Sequence, residues 1–308
     1  MRKPMPAHRR KVLPILAAAA FLCTLSVAPV RAGSTDKVEV YVVNYPLRYF
    51  AGRIAGESAT IVFPAPSGED PAFWTPGVDT VKAFQGADLI LLNGAGYARW
   101  VKKVSLPRAK MVDTSKGFED RFISSEEITT HSHGPEGKHA HESLAFTTWL
   151  DFELAARQAR AVADALGRTV PGKKDEFNRN YAALKEDLQA LDRQIGEFVV
   201  GKESRPLIAS HPVYQYLTRR YGLNVRSVHW EPDEAPDLDQ WSELKAILRE
   251  NPAQWMIWEG EPRPEVVEEL EKRGVQSLVF NPAGSVPDSG GFLSVMKENV
   301  ANLKAAFQ

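Results

Sequence analysis

The 308-residue chain has a single cysteine, Cys23, and it lies inside the only long apolar run, Val12 to Val30. No other stretch approaches the ~18–20 apolar residues that span a bilayer. Basic charge is also scarce beyond the N-terminus. Lys and Arg total 38 against 39 Asp and Glu, a net charge of −1. Six of the basic residues (Arg2, Lys3, Arg9, Arg10, Lys11, Arg31) and no acidic residue fall in the first 32, so the remainder carries 32 basic against 39 acidic residues, a net of −7. A mildly acidic body excludes a phosphate-backbone binder, which needs a concentrated basic face. Three enzyme signatures are missing too: a His-Glu-x-x-His zinc helix, a Gly-x-Ser-x-Gly elbow and a phosphate loop. His139-Ala140-His141-Glu142 has the wrong spacing for the first of these. A metal-dependent hydrolase therefore ranks last among functions, and the expectation is that the protein is not an enzyme.

The N-terminus reads as a signal peptide over residues 1–32: a basic stretch to Lys11, the apolar run, then Val30-Arg31-Ala32, with small residues suited to cleavage after Ala32. Ala20-Phe21-Leu22 before Cys23 is a poor lipoprotein signal, which wants Leu three residues ahead of the cysteine. Cleavage leaves no cysteine, so disulfides and thiolate metal sites are both excluded from the mature chain. A composition of 44% hydrophobic and 25% charged residues fits a globular body. The expectation is a soluble, monomeric periplasmic protein held together by its apolar cores.

Strand and helix patterns alternate after residue 36. Lys37–Asn44, Thr60–Phe63, Ala87–Asn93 and Ala109–Asp113 read as strands, with helices at Pro46–Ala55, at Asp79–Gln85 (capped by Asp79 or Thr80) and from Gly94/Gly96 through Val104. Leu89-Ile90-Leu91-Leu92 is apolar on both faces, as in a parallel sheet. Residues 115–146 break the rhythm with a polar stretch holding four histidines. Helix resumes from Trp149 to Leu166, opened by Thr147-Thr148, where threonine is a suitable N-cap. From Lys174 to Phe198, apolar residues at Phe177, Tyr181, Leu184, Leu188, Leu191, Ile195 and Phe198 step by 4, 3, 4, 3, 4, 3, an unbroken helical stripe. A second series follows. Its strands are Leu207–Ser210, Asn224–Val228, Trp255–Trp258 and Gln276–Phe280, and its helices are Val213–Tyr221, Leu238–Asn251, Pro264–Arg273 and Gly291–Phe307. The fold class is α/β: two lobes, each with a parallel sheet flanked by helices, joined by one long connecting helix. The boundaries are an N-terminal lobe over 33–173, with its His-rich loop at 115–146, a connecting helix over 174–200 and a C-terminal lobe over 201–308.

Open parallel sheets bind ligands beyond the strand C-termini. The residues there are Phe73 and Trp74 after Asp70-Pro71-Ala72, the Thr147-Thr148-Trp149 segment, His211 after Ser210, Glu259 and Glu261, and Asn281. Imidazole in such a place can hold a metal or a proton. The loop adds His131, His133, His139 and His141, two His-x-His pairs flanked by Glu136 and Glu142, a composition suited to borderline metals.

These residues resemble the periplasmic solute-binding proteins of ABC importers for zinc and manganese. The resemblance rests on Val43-Asn44-Tyr45-Pro46-Leu47, Gly68-Glu69-Asp70-Pro71, Ala87-Asp88-Leu89-Ile90, Asn93-Gly94-Ala95-Gly96, Trp149-Leu150-Asp151, Ser210-His211 with Tyr214, and Phe280-Asn281-Pro282-Ala283-Gly284. It implies a Zn2+ or Mn2+ cargo, or another divalent metal, and an ABC permease in the inner membrane as partner. It also implies four ligand positions, occupied here by Ala72, Thr147, His211 and Asn281. Ala72 offers no donor, while Thr147 and Asn281 offer only neutral oxygens. Three readings follow. Metal is held by His211 with loop histidines or with Glu259, Glu261 or His229; or Phe73, Trp74, Trp149 and His211 line a site for a metal chelate or small organic ligand; or the loop alone is a metal scavenger or chaperone.

Overall fold

The computed structural model describes Met1 and residues 37–125 and 143–308. The expected signal peptide, with Cys23, and the histidines His131, His133, His139 and His141 lie outside the described residues. No helix among the described residues is long and apolar enough to cross a membrane.

Strands β1 (Val38–Val42), β2 (Ala59–Val62), β3 (Leu89–Leu92) and β4 (Met111–Asp113) form a sheet in the order β2-β1-β3-β4, parallel throughout. Helix α1 (Tyr45–Ala55) follows β1 directly. Asn44 accepts the Leu47 N–H as its cap, and Pro46 presets the first turn. Helix α2 spans Val78–Gly86; its N-cap is Gly77, without a side-chain bond, rather than Asp79 or Thr80. The helix expected from Gly94/Gly96 onward is a 3-10 turn over Arg99–Lys103. Gly94, Ala95, Gly96 and Ala98 all take positive φ (79°, 49°, 77° and 52°), so the chain coils before any helix can start. Two-residue strands β5 (Ser124–Ser125) and β6 (Ser143–Leu144) pair antiparallel.

Helix α3 (Phe152–Thr169) begins one turn later than Thr147-Thr148. Asp151 is its N-cap, accepting from the Glu153 and Leu154 N–H groups. Helix α4 (Lys174–Val199) is 26 residues long, about 39 Å at 1.5 Å per residue. Its stripe falls as the spacing predicts: Phe177, Leu184, Leu188, Leu191 and Ile195 are buried, with Tyr181 and Phe198 half-buried. It packs against α1, α3 and α8 (Phe292–Ala305).

The second sheet comprises β7 (Pro206–Ala209), β8 (Asn224–Ser227), β9 (Trp255–Trp258) and β10 (Gln276–Val279), in the order β10-β9-β7-β8 and again parallel. Helices α5 (Gln215–Tyr221), α6 (Leu238–Glu250) and α7 (Pro264–Glu271) lie between its strands in sequence. Lys37–Gln308 form one compact unit, and the largest of its apolar clusters among the described residues runs from Val40 and Ile90 of the first sheet through α4 to Leu207 and Ile257 of the second. Hydrogen bonds also join the halves: Tyr45 N–H to the Gly284 carbonyl at 2.9 Å, and the Trp149 Nε1–H to the Pro282 carbonyl at 2.7 Å.

Candidate metal centre

Three adjacent strands of the second sheet end at the same edge. Beyond β7 come Ser210 and His211, beyond β8 come His229 to Glu231, and beyond β9 comes Glu259. The ladder continues past the strands and fixes these exits. Ser210 N–H donates to the Ile257 carbonyl (2.8 Å) and Trp230 N–H to the Ser210 carbonyl (2.8 Å). Trp230 is buried against Trp241 and Trp258, anchoring the segment that presents Glu231.

The outcome is a compact donor group. His211 Nδ1 lies 3.6 Å from a Glu259 oxygen and 3.7 Å from a Glu231 oxygen, and one ligand atom from each residue falls within 4.8 Å of the others. The His211 Nδ1 is buried and, among the described residues, makes no hydrogen bond. The His211 and Glu259 side chains are mostly buried (21% and 25% exposed), whereas Glu231 is half-exposed at the rim. His229 stacks edge-on against His211, with ring centres 5.5 Å apart.

Charge accumulates here. Burial pushes the Glu259 carboxyl up to about 7, helped by Glu231 and then by Asp70. Asp70, on the turn after β2, is raised by burial and by Glu231, and held back by its bond to the Ala72 N–H and by His211. Carboxylates that raise one another without a cation between them form a site that favours a cation.

The other residues named from the sequence are placed differently. Ala72 is 2% exposed, packed beneath the Asp70 turn. Thr147 is buried and its hydroxyl donates to the Val213 carbonyl at 2.5 Å, a stitch between the halves. The Asn281 side-chain oxygen accepts from Ala283 N–H at 2.7 Å within its own turn. Trp149 is 1% exposed and Trp74 packs on Trp100, so both serve as packing rather than as walls of an open cleft. Phe73 is exposed at 54%, beneath the Arg99 guanidinium. Glu261 is exposed and is not part of the three-residue group. The spacing did not single out Glu231. Its signal is positional: His229-Trp230-Glu231-Pro232 leaves β8 beside the exit that carries His211.

Comparison with known proteins gives a consistent setting. The zinc-binding lipoprotein AdcA of Streptococcus pneumoniae is 28% identical over 280 residues, covering 87% of this chain. The chain spans only 55% of that relative's length. The high-affinity zinc uptake system protein ZnuA of Bacillus subtilis is 27% identical over 280 residues, covering 87% of both chains. The crystal structure of the metal-dependent lipoprotein YcdH from Bacillus subtilis superposes with a TM-score of 0.76 at 22% identity, over 88% of this chain and all of that one, a match of fold. The model of the ZnuA family, zinc-uptake complex component A, periplasmic, matches residues 40–306, and the chain belongs to that family.

Proposed function

We propose that the protein captures a divalent metal ion, zinc or manganese, at the meeting of its two sheet-bearing halves and delivers it to an ABC permease. It does so as a monomeric periplasmic solute-binding component. The family is one of zinc-uptake components. The observation that carries the reading is the convergence of His211, Glu231 and Glu259 from three neighbouring strand ends. One imidazole and two carboxylates supply donors that zinc and manganese both accept. This set takes over from the family's ligand positions, where Ala72, Thr147 and Asn281 are engaged in packing or in local hydrogen bonds. The histidine-rich segment supplies separate, weaker donors.

Calorimetric titration of Zn2+ and Mn2+ into a chain lacking residues 131–141 tests the reading. One metal bound per chain, abolished by His211→Ala in the same background, is the expected result. Metal binding that vanishes with the segment alone overturns it.

A further inference from the structure

The three donors of the proposed metal site are not held alike. His211 leaves β7 and Glu259 leaves β9, strands with a hydrogen-bonded neighbour on both sides. Glu231 leaves β8, an edge strand in the order β10-β9-β7-β8, and stands four residues beyond its last residue, Ser227. The ladder past β8 is one-sided. Val228 N–H donates to the Ala209 carbonyl (2.9 Å) and Trp230 N–H to the Ser210 carbonyl (2.8 Å). The Glu231 side chain is half-exposed, and among the described residues its carboxylate accepts no hydrogen bond. A long side chain loses rotamer freedom when it takes up a ligand position, so the affinity it adds depends on how well its backbone is placed in advance.

A further tie comes from α6. Gln240 Nε2 donates to the His229 carbonyl at 2.9 Å, two residues before Glu231. The Gln240 Oε1 accepts the Asp237 N–H (2.9 Å), while the Gln240 N–H donates to Asp237 Oδ1 (2.8 Å), the reciprocal box that starts α6. Both ends of the Gln240 amide are therefore fixed. The next residue, Trp241, packs on Trp230 with 4.8 Å between ring centres, and the Arg273 guanidinium covers Trp241 at 4.3 Å. Just after Glu231, the Pro232 carbonyl accepts the Arg263 N–H at 3.1 Å. Resting on the metal site proposed above, we infer that Gln240 is a positioning residue for metal capture: through the His229 carbonyl it holds the edge-strand exit so that the Glu231 carboxylate stands beside His211. Without that bond the site keeps His211 and Glu259, and the third donor is free to turn toward solvent.

The test uses the full chain with Mn2+ and Zn2+ as probes, and a double-mutant cycle between Gln240 and Glu231. Gln240→Glu keeps the acceptor for the Asp237 N–H, so the start of α6 is preserved while the donor to His229 is lost. Gln240→Met loses the same donor without adding charge. Calorimetry should show both variants weakening the tight one-to-one site on the order of 10-fold, the lower end of what outer partners of metal ligands contribute. Neither should have an effect once Glu231→Gln has removed the ligand. The melting temperature of metal-free Gln240→Glu should stay close to that of the parent. Unchanged affinity in both Gln240 variants, a loss confined to Gln240→Glu, or the same loss with and without Glu231 overturns the positioning role. Tight one-to-one binding that survives both His211→Ala and Glu231→Gln instead removes the metal site itself.

Discussion

At the C-terminal edge of the first sheet, residues just beyond β1, β3 and β4 are neutral, buried and hydrogen-bonded to one another and to Gln158 of α3. Asn44 donates to Asn93 (3.0 Å), Asn93 donates to the Phe146 carbonyl (3.0 Å), and Gln158 donates toward Asn93, Thr114 and Ser115. All five of these side chains are 2% exposed or less. At the equivalent edge of the second sheet stand an imidazole and two carboxylates, with a buried Nδ1 that makes no hydrogen bond among the described residues and a Glu259 carboxyl pushed up to about 7. The two sheets share a parallel topology, with the order β2-β1-β3-β4 against β10-β9-β7-β8. What separates them is polar satisfaction. A fully bonded neutral network rigidifies, while two carboxylates gathered around one imidazole offer donors to a cation.

The comparison can be broken at either edge. The largest effect is expected from Asn93→Ala, which strands Asn44, Gln158 and the Phe146 carbonyl. Urea denaturation should show a loss of about 3 kcal/mol, with metal affinity within a few-fold of the parent. The reciprocal change, His211→Ala, should weaken metal binding on the order of 100-fold and leave the unfolding midpoint of the metal-free protein nearly unchanged. Equal stability losses from both variants would mean that the edges do not differ in role.

Glu259 sharpens the contrast through pH. Its folded pKa of about 7 lies above the ordinary 4.5, so the folded state keeps a proton that the unfolded state has released. The metal-free protein should therefore be most stable below about pH 4.5 with respect to this group, and should lose that stability as pH rises through 7. Glu259→Gln should flatten the trend and raise Tm by several degrees at pH 8. Metal affinity should run the opposite way in the parent chain, strengthening as pH rises through 7, because the ligand is the carboxylate. The smallest effect concerns the junction between the halves. Trp149→Phe removes the Nε1–H bond to the Pro282 carbonyl and should cost about 1 kcal/mol by the same denaturation.

Much of this architecture is written in local pattern. The stripe from Phe177 to Phe198, the apolar Leu89–Leu92 strand and the Pro264 helix start needed only periodicity and backbone preference to be placed. His211 and Glu259 stood out because each directly follows a strand. Glu231 was less visible, since it lies four residues past the end of β8 and reaches His211 only because Trp230 is sandwiched between Trp241 and Trp258. The helix expected after Gly96 failed because a run of positive φ values is set by packing; Gly94, for instance, leaves no room for a Cβ beside Asp113 and Ser115.

The sequence by itself determined two βα series, a long amphipathic helix between them and a histidine at a strand exit, because those depend on residues a few positions apart. The tertiary structure decided which acids stand beside that histidine. Glu231 and Glu259 stand apart from His211 and from each other along the chain, and only the order of strands in the second sheet brings them to one place.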